Sequence, residues 1–203
     1  MIYMEGDIED IVSLGEFAKK LRVYFSTASM GISFLIFGAV FGGYWLVIFS
    51  IGSLYNSPWI FIGGSLGVIP LASLCSLLVV KAVPGIKRES LPHEGARWAI
   101  SFIPIIAAIL ISSLYGLPTS VWYGGLGVSL LLAHLLIERP LISRGLLSVR
   151  PFLLASIPML LTFPAPLSLP PYLDSMTALG LCLLFYSLAG VYALVRAAKL
   201  FSE

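Results

Sequence analysis

The chain has 203 residues, of which 59% are hydrophobic and 11% are charged, and its mean hydropathy is +1.00. This composition leaves too little polar surface for a soluble globule and predicts an all-α fold, a polytopic helical bundle in a membrane. The formal net charge of +2 is too small to indicate nucleic acid as a partner.

Residues 1–26 are predicted to form an amphipathic helix on the cytoplasmic side of the membrane. Its apolar residues recur at helical spacing, at Ile8, Ile11, Val12, Ala18, Leu21 and Phe25. Acidic residues precede Lys19, Lys20 and Arg22, an order that matches the helix dipole, and the pattern of a cleavable signal peptide is missing. We expect this segment to anchor the chain at the membrane surface, with docking of a partner protein as the alternative.

Six transmembrane helices are predicted to follow, in a single domain over residues 27–203. Since one crossing needs roughly 20 apolar residues, the spans cover about 27–53, 58–81, 95–114, 118–138, 150–166 and 171–196. They pair into hairpins 27–81, 95–138 and 150–196. All twelve Lys and Arg residues lie near the ends of these hairpins, within 19–22, 81–97, 139–150 and 196–199. The positive-inside rule therefore predicts a cell-membrane protein with both termini in the cytoplasm.

The hairpins resemble copies of one unit. A shift of 60 positions matches eight residues of segment 54–71 with segment 114–131, including Pro58 with Pro118. A fainter third copy aligns Pro171 with the same proline. Copies of two spans all enter the membrane in the same direction, so the repeat predicts a symmetry axis along the membrane normal. The alternative is that prolines begin helices and glycines pack them in any membrane protein.

Glycine and proline positions predict close helix packing and helix kinks. The candidate packing residues are Gly38, Gly42, Gly63, Gly67, Gly124 and Gly127. The candidate kinks lie in the middle of predicted spans, at Pro70, Pro104 and Pro158. A carbonyl freed by a kink must face protein or a wet cavity. The kinks therefore either mark a central site or only shape the bundle.

One candidate polar site lies at the cytoplasmic end of the fourth predicted span. No Asp, Glu, Lys or Arg occupies the middle of a span, which disfavours a proton pump or an anion carrier. His134 and Glu138 are spaced i, i+4 on one helix face, and Arg139 follows them. This pattern fits a proton-sensitive gate, one end of a metal site, or a neutral histidine bonded to Glu138. A metal needs further ligands, so we predict none.

A second candidate site is the cytoplasmic loop 87–98, which contains Arg88, His93, Glu94 and Arg97. The histidine and the glutamate could act as base or ligand, and the arginines could bind a phosphate. The alternative is that the basic residues only set the topology and attract anionic lipid. Catalytic and cofactor motifs are missing, and Cys75 and Cys182 lie in apolar spans, so neither a cofactor nor a disulfide is predicted.

The run from Pro92 to Ala99, with Pro104 after it and Arg139-Pro140-Leu141 further on, resembles the YwiC-like membrane proteins. Their signature reads approximately P-x-x-H-G-A-W-A before a proline-containing span. In this chain Glu94 and Arg97 are inserted into that pattern. The resemblance covers at most residues 92–200 and implies a multi-pass membrane protein, without implying a reaction.

Three functions fit these patterns. The first is a channel, a facilitator or the membrane subunit of a permease for a small neutral or apolar solute. The alternatives are a non-catalytic scaffold subunit of a membrane complex and a lipid-modifying enzyme working at the loop 87–98. Transport predicts polar residues that converge inside the bundle, whereas a scaffold predicts a tight bundle with an apolar outer seam. The expected partners are the bilayer, anionic lipid on the cytoplasmic side, and membrane proteins or further copies of the chain.

Overall fold

The computed structural model describes residues 3–55, 67, 71, 74–75, 91–118 and 120–200. Regular secondary structure in these residues is helical throughout, which confirms the all-α prediction. Most of the predicted second span 58–81 lies outside the described residues. The same holds for Pro70, Gly63 and Arg88, and for most of the first copy of the predicted repeat.

Seven α-helices and one π-helical turn make up the described part of the chain. They are α1 (Tyr3–Tyr55), α2 (Glu94–Tyr115), α3 (Val121–Ala133), the π-turn (His134–Glu138), α4 (Arg139–Ser143), α5 (Pro151–Thr162), α6 (Pro164–Leu167) and α7 (Pro171–Lys199). The α3 helix, the π-turn and α4 follow one another without a gap, so they form one rod, Val121–Ser143.

Among the described residues, four helical stretches are long and apolar enough to cross a membrane. They are Ser13–Ile48, Glu94–Tyr115, Val121–Ser143 and Leu173–Lys199. The predicted fifth span corresponds to the shorter stretch Pro151–Leu167, in which Phe163 separates α5 from α6. Length and composition therefore indicate a multi-pass protein located in a membrane.

The α1 helix joins two segments that the sequence pattern separates. The predicted surface segment 1–26 and the predicted span 27–53 are parts of one helix that runs unbroken from Tyr3 to Tyr55. At 1.5 Å per residue its 53 residues extend about 80 Å, compared with roughly 30 Å for the hydrocarbon core of a bilayer. Residues 13–20 are all exposed, including Leu14 and Phe17. The helix therefore extends past the packed bundle.

Each helix packs on the next in the order α2, α3, α5, α7 and α1. The α1 and α7 helices are antiparallel, because Gly31 meets Gly190 while Gly42, further along α1, meets Leu183, which comes earlier in α7. A Cβ atom on Gly31 would lie 2.9 Å from the carbonyl oxygen of Gly190, so the two backbones touch. Gly38 faces Tyr186 in the same helix pair. Glycine thus sets the separation of α1 and α7.

The rod Val121–Ser143 uses its glycines on two sides. Gly124 and Gly127 face Phe163 and Leu160, the first just after α5 and the second in its last turn. A neighbouring glycine, Gly125, faces α2 beside Ala108 and the carbonyl of Pro104.

Gly67, outside the rod, approaches the hydroxyl of Tyr44 in α1, where an added Cβ would lie 3.1 Å from that oxygen.

The described basic residues lie at one end of the bundle. The Thr27 hydroxyl of α1 lies 3.1 Å from the hydroxyl of Ser148 in the loop before α5. Arg97, in the first turn of α2, reaches the π-turn, and α7 ends at the same level because it is antiparallel to α1. This end carries Lys19, Lys20, Arg22, Arg97, Arg139, Arg144, Arg150, Arg196 and Lys199. Asp174, in the first turn of α7, lies at the opposite end.

Candidate functional site

The π-turn in the rod is explained by a proline that follows it. A regular helix would bond the carbonyl of Leu136 to the amide of residue 140, but Pro140 has no N–H and its ring collides with that carbonyl. The backbone widens here, and the amide of Arg139 donates to the carbonyl of His134, five residues back. The turn therefore leaves the carbonyl of Leu136 available to another donor.

Arg97 supplies that donor from the neighbouring helix. Its Nη1 atom donates to the carbonyl oxygen of Leu136 at 2.6 Å. Arg97 belongs to the loop site predicted from the sequence, and the turn contains His134 and Glu138 of the other predicted site. The structure thus brings one residue of the loop site against the His–Glu pair.

Glu138 is the most enclosed charged group of this region, with no exposed surface. Its Oε2 atom is hydrogen bonded to Nδ1 of His134, which is itself buried. Its Oε1 atom accepts the amide N–H of Phe152 at 3.0 Å. One carboxylate therefore joins the π-turn to the first turn of α5.

The first turn of α5 needs such an acceptor. Its N-cap residue is Arg150, which makes no side-chain capping bond, and Pro151 occupies the next position. The first intrahelical bond runs from the amide of Leu154 to the carbonyl of Arg150, so the amides of Phe152 and Leu153 have no partner within the helix. A carboxylate at this point also faces the positive end of the helix dipole. Glu138 thus caps α5 from another helix.

We call this arrangement the π-turn cluster: Arg97, His134, the carbonyl of Leu136, Glu138 and the first amides of α5. Trp98 borders it, with its ring edge against Phe152 at 5.7 Å between centroids and its Nε1 donating to Glu94 Oε1 at 3.4 Å. Three of the described residues predicted as site residues are not part of the cluster. Glu94 lies beside it, bonded to Trp98. His93 is exposed at the N-cap of α2 with a positive φ of 55°, and Arg139 is exposed on α4.

A second buried carboxylate lies at the opposite end of the bundle. Asp174 in α7 accepts the amide N–H of Ser120 on Oδ2 at 3.4 Å and the hydroxyl of Ser175 on Oδ1 at 2.9 Å. Ser120 is the N-cap of α3, so this acid also sits at the start of a neighbouring helix. Asp174 is not among the site residues predicted from the sequence, although it is the only acidic residue between Arg150 and Arg196.

The prolines within α2 and α5 lie beside polar contacts between helices. Next to Pro104, the amide of Ile105 donates to the hydroxyl of Ser129 on α3 at 3.1 Å. In α5, the Thr162 hydroxyl donates to the carbonyl of Pro158 at 2.7 Å and lies 2.8 Å from the Tyr123 hydroxyl of α3. Both regions around these prolines are therefore hydrogen bonded to the central rod.

The arrangement offers fixed hydrogen bonds between helices and one buried, hydrogen-bonded His–Glu pair. A group of three or more His, Cys, Asp or Glu side chains able to hold a metal ion does not occur among the described residues. Cys182 is a buried free thiol within α7. No family model, curated protein or solved structure matches the chain. The resemblance of residues 92–200 to the YwiC-like proteins stays a prediction.

Proposed function

We propose that the chain is a non-catalytic structural subunit of a membrane complex. It crosses the membrane six times as three hairpins, with both termini and the basic end in the cytoplasm. Two observations support the topology: α2 packs against the rod and α5 against α7 as neighbouring pairs, and the described basic residues share one end. In this proposal α1 forms the first hairpin with residues 58–81.

The observation that carries the proposal is that buried polar groups are hydrogen bonded to other parts of the protein. Four contacts join different helices or helix starts: Glu138 with Phe152, Asp174 with Ser120, Ser129 with Ile105, and Tyr123 with Thr162. A solute path needs polar groups that are free to bind and release the solute, whereas these groups bond to the protein itself. Between them the interior is filled by side chains without exposed surface, such as Tyr123 and Met159. This pattern favours a scaffold.

The outer surface of α2 fits the same function. Its large exposed apolar residues lie three positions apart from Ile100 to Ile109, at Ile100, Ile103, Ile106 and Ile109, and continue with Leu110, Ile111, Leu114 and Tyr115. In a membrane such a face contacts lipid or another apolar helix. A subunit that holds others in place needs this kind of outer seam.

Affinity purification of the tagged chain from its own membranes in a mild detergent tests the proposal. We expect a second membrane protein to be recovered at a fixed ratio and to migrate with the chain in native electrophoresis. Recovery of the chain alone, together with solute flux through liposomes that contain it, would overturn the proposal. A surface variant that replaces Leu161 with Ala serves as the purification control, because that exposed side chain lies on α5, outside the apolar face of α2 and outside every polar contact described above.

A facilitator of small neutral solutes is the second candidate, and one atom favours it. The Ser120 hydroxyl is fully buried and has no hydrogen-bond partner in the part of the chain that the structure describes. A neutral solute that accepts or donates a hydrogen bond would satisfy it. Stopped-flow shrinkage of liposomes in urea or glycerol tests this candidate. Flux that is lost in Ser120→Ala supports it, and flux equal to that of empty liposomes excludes it.

A further inference from the structure

We propose that Glu138 is a proton-operated latch, in which the carboxylate form fastens the start of α5 to the π-turn and the protonated form loosens it. The inference concerns a moving part of the fold and does not rest on the scaffold function. Its basis is the pair of hydrogen bonds by which one buried side chain joins two separate elements.

Proton binding changes what Glu138 can accept. An ionised carboxylate offers about four acceptor sites on two oxygens, and it has no donor of its own. The amide of Phe152 and the His134 ring use these sites. A proton on the carboxyl converts one oxygen into a donor and removes the charge that faces the positive end of α5. The bond to the Phe152 amide weakens. The bond to His134 persists, because the carboxyl O–H can then donate to the ring nitrogen.

Few other charged groups act on this carboxylate. Among the described residues, the elements packed on the π-turn carry Arg97 and Glu94 on α2 and Arg139 on α4, with Arg150 just before α5. Arg97 donates to the Leu136 carbonyl, and Arg139 and Arg150 are exposed to solvent or headgroups. Helix α5 contains no titratable residue, and α3 contains only Tyr123 near its other end. Thus His134 is the ionisable group bonded directly to the carboxylate.

Protonation of the His134 ring and protonation of Glu138 have different effects on α5. A protonated ring next to the carboxylate strengthens the pair, and it leaves the bond to Phe152 in place. Only loss of the negative charge on Glu138 frees that amide. The latch is therefore fastened at higher pH and loosened as the pH falls.

Loosening the start of α5 reaches α1 through the preceding loop. The amide of Ser148 donates to the Thr27 hydroxyl at 3.4 Å, and the two hydroxyls are also in contact. Only two residues separate Ser148 from Pro151, where α5 begins. Movement of the first turn of α5 is therefore passed through Ser148 to Thr27, at the point where α1 leaves the bundle.

Hydrogen–deuterium exchange of the full chain in lipid nanodiscs tests the latch, with mass spectrometry reading peptides that contain Phe152 and Leu153. Protection is the ratio of the exchange rate of an unstructured peptide to the measured rate, taken at each pH from about pH 8 to about pH 5. The intrinsic pH dependence of exchange cancels in this ratio. We expect protection of these amides to fall about tenfold over this range, a factor that corresponds to about 1.4 kcal/mol. A flat profile in the unmodified chain would overturn the proposal, whatever the variants do.

Three variants identify the titrating group. Glu138→Gln keeps an acceptor for Phe152 without the charge, so we expect low protection that does not change with pH. His134→Gln should shift the transition without abolishing it, and a flat, high protection in that variant would assign the titration to His134 and refute the proposal. Asp174→Asn is the matched control, because it removes a buried charge from the opposite helix start. The α5 profile of this control should equal that of the unmodified chain.

Discussion

Replacement of Gly31 by Ala tests whether backbone contact between α1 and α7 holds the bundle together. The added Cβ would lie 2.9 Å from the carbonyl oxygen of Gly190 and 3.1 Å from both Ala193 Cβ and Leu194 Cγ. The nearest atom belongs to a helix backbone that cannot rotate away, so the two helices must separate. Overpacking of this kind destabilises by about 1–3 kcal/mol. We expect Gly31→Ala to lose about that much, less a small gain in helix propensity.

Gly43→Ala on the same helix is the matched control. An added Cβ at this position meets no atom within 4 Å. Alanine is a better helix former than glycine by roughly 0.5–1 kcal/mol, so the control should be stabilised. Unfolding in mixed micelles with increasing SDS, read by circular dichroism, measures both variants. Equal stability of the two variants would refute the claim that Gly31 and Gly190 are in backbone contact.

The sequence predicted the helical class and the long apolar stretches, because both follow from composition and from segment length. It did not predict the link between Arg97 and the turn at His134. That link depends on the start of α2 meeting the π-turn of the rod in space, across 39 residues of chain. The π-turn itself has a local cause, since Pro140 denies a partner to the carbonyl four residues before it. A proline at position 140 within a long apolar helix therefore indicates an irregular turn just before it.

The partner of α5 shows where sequence reasoning stops. An N-cap that lacks Ser, Thr, Asp or Asn predicts unpaired amides after Pro151, and this much is visible in the sequence. The identity of the acceptor is not, because Glu138 lies on another helix. The predicted spacing of His134 and Glu138 assumed regular helical geometry, whereas the residues lie within a π-turn.

Three further predictions concern individual polar groups inside the bundle. Ser120→Ala should leave stability unchanged or raise it by about 1 kcal/mol in SDS unfolding, because it removes a buried hydroxyl without a partner; a clear loss would show that the hydroxyl has one. Tyr123→Phe and Thr162→Val should show a coupling of about 1 kcal/mol in a double-mutant cycle, whereas additive effects would mean that the bond contributes nothing. Arg97→Ala should destabilise by about 1–3 kcal/mol through the unpaired Leu136 carbonyl, more than the surface variant Arg139→Ala in the same assay.

The two buried acids together explain how an apolar bundle fixes its arrangement. Lipid is as apolar as the helices, so burial of leucine alone does not select one packing over another. The rod Val121–Ser143 is held by carboxylates at both ends: Asp174 of α7 accepts the amide of Ser120 before it, and Glu138 near its end accepts the amide of Phe152 from α5. An amide at a helix start points along the axis, so each bond fixes both the position and the rotation of the partner helix. Glycine then sets how close the helices come. The central rod is accordingly the element around which α2, α5 and α7 are aligned.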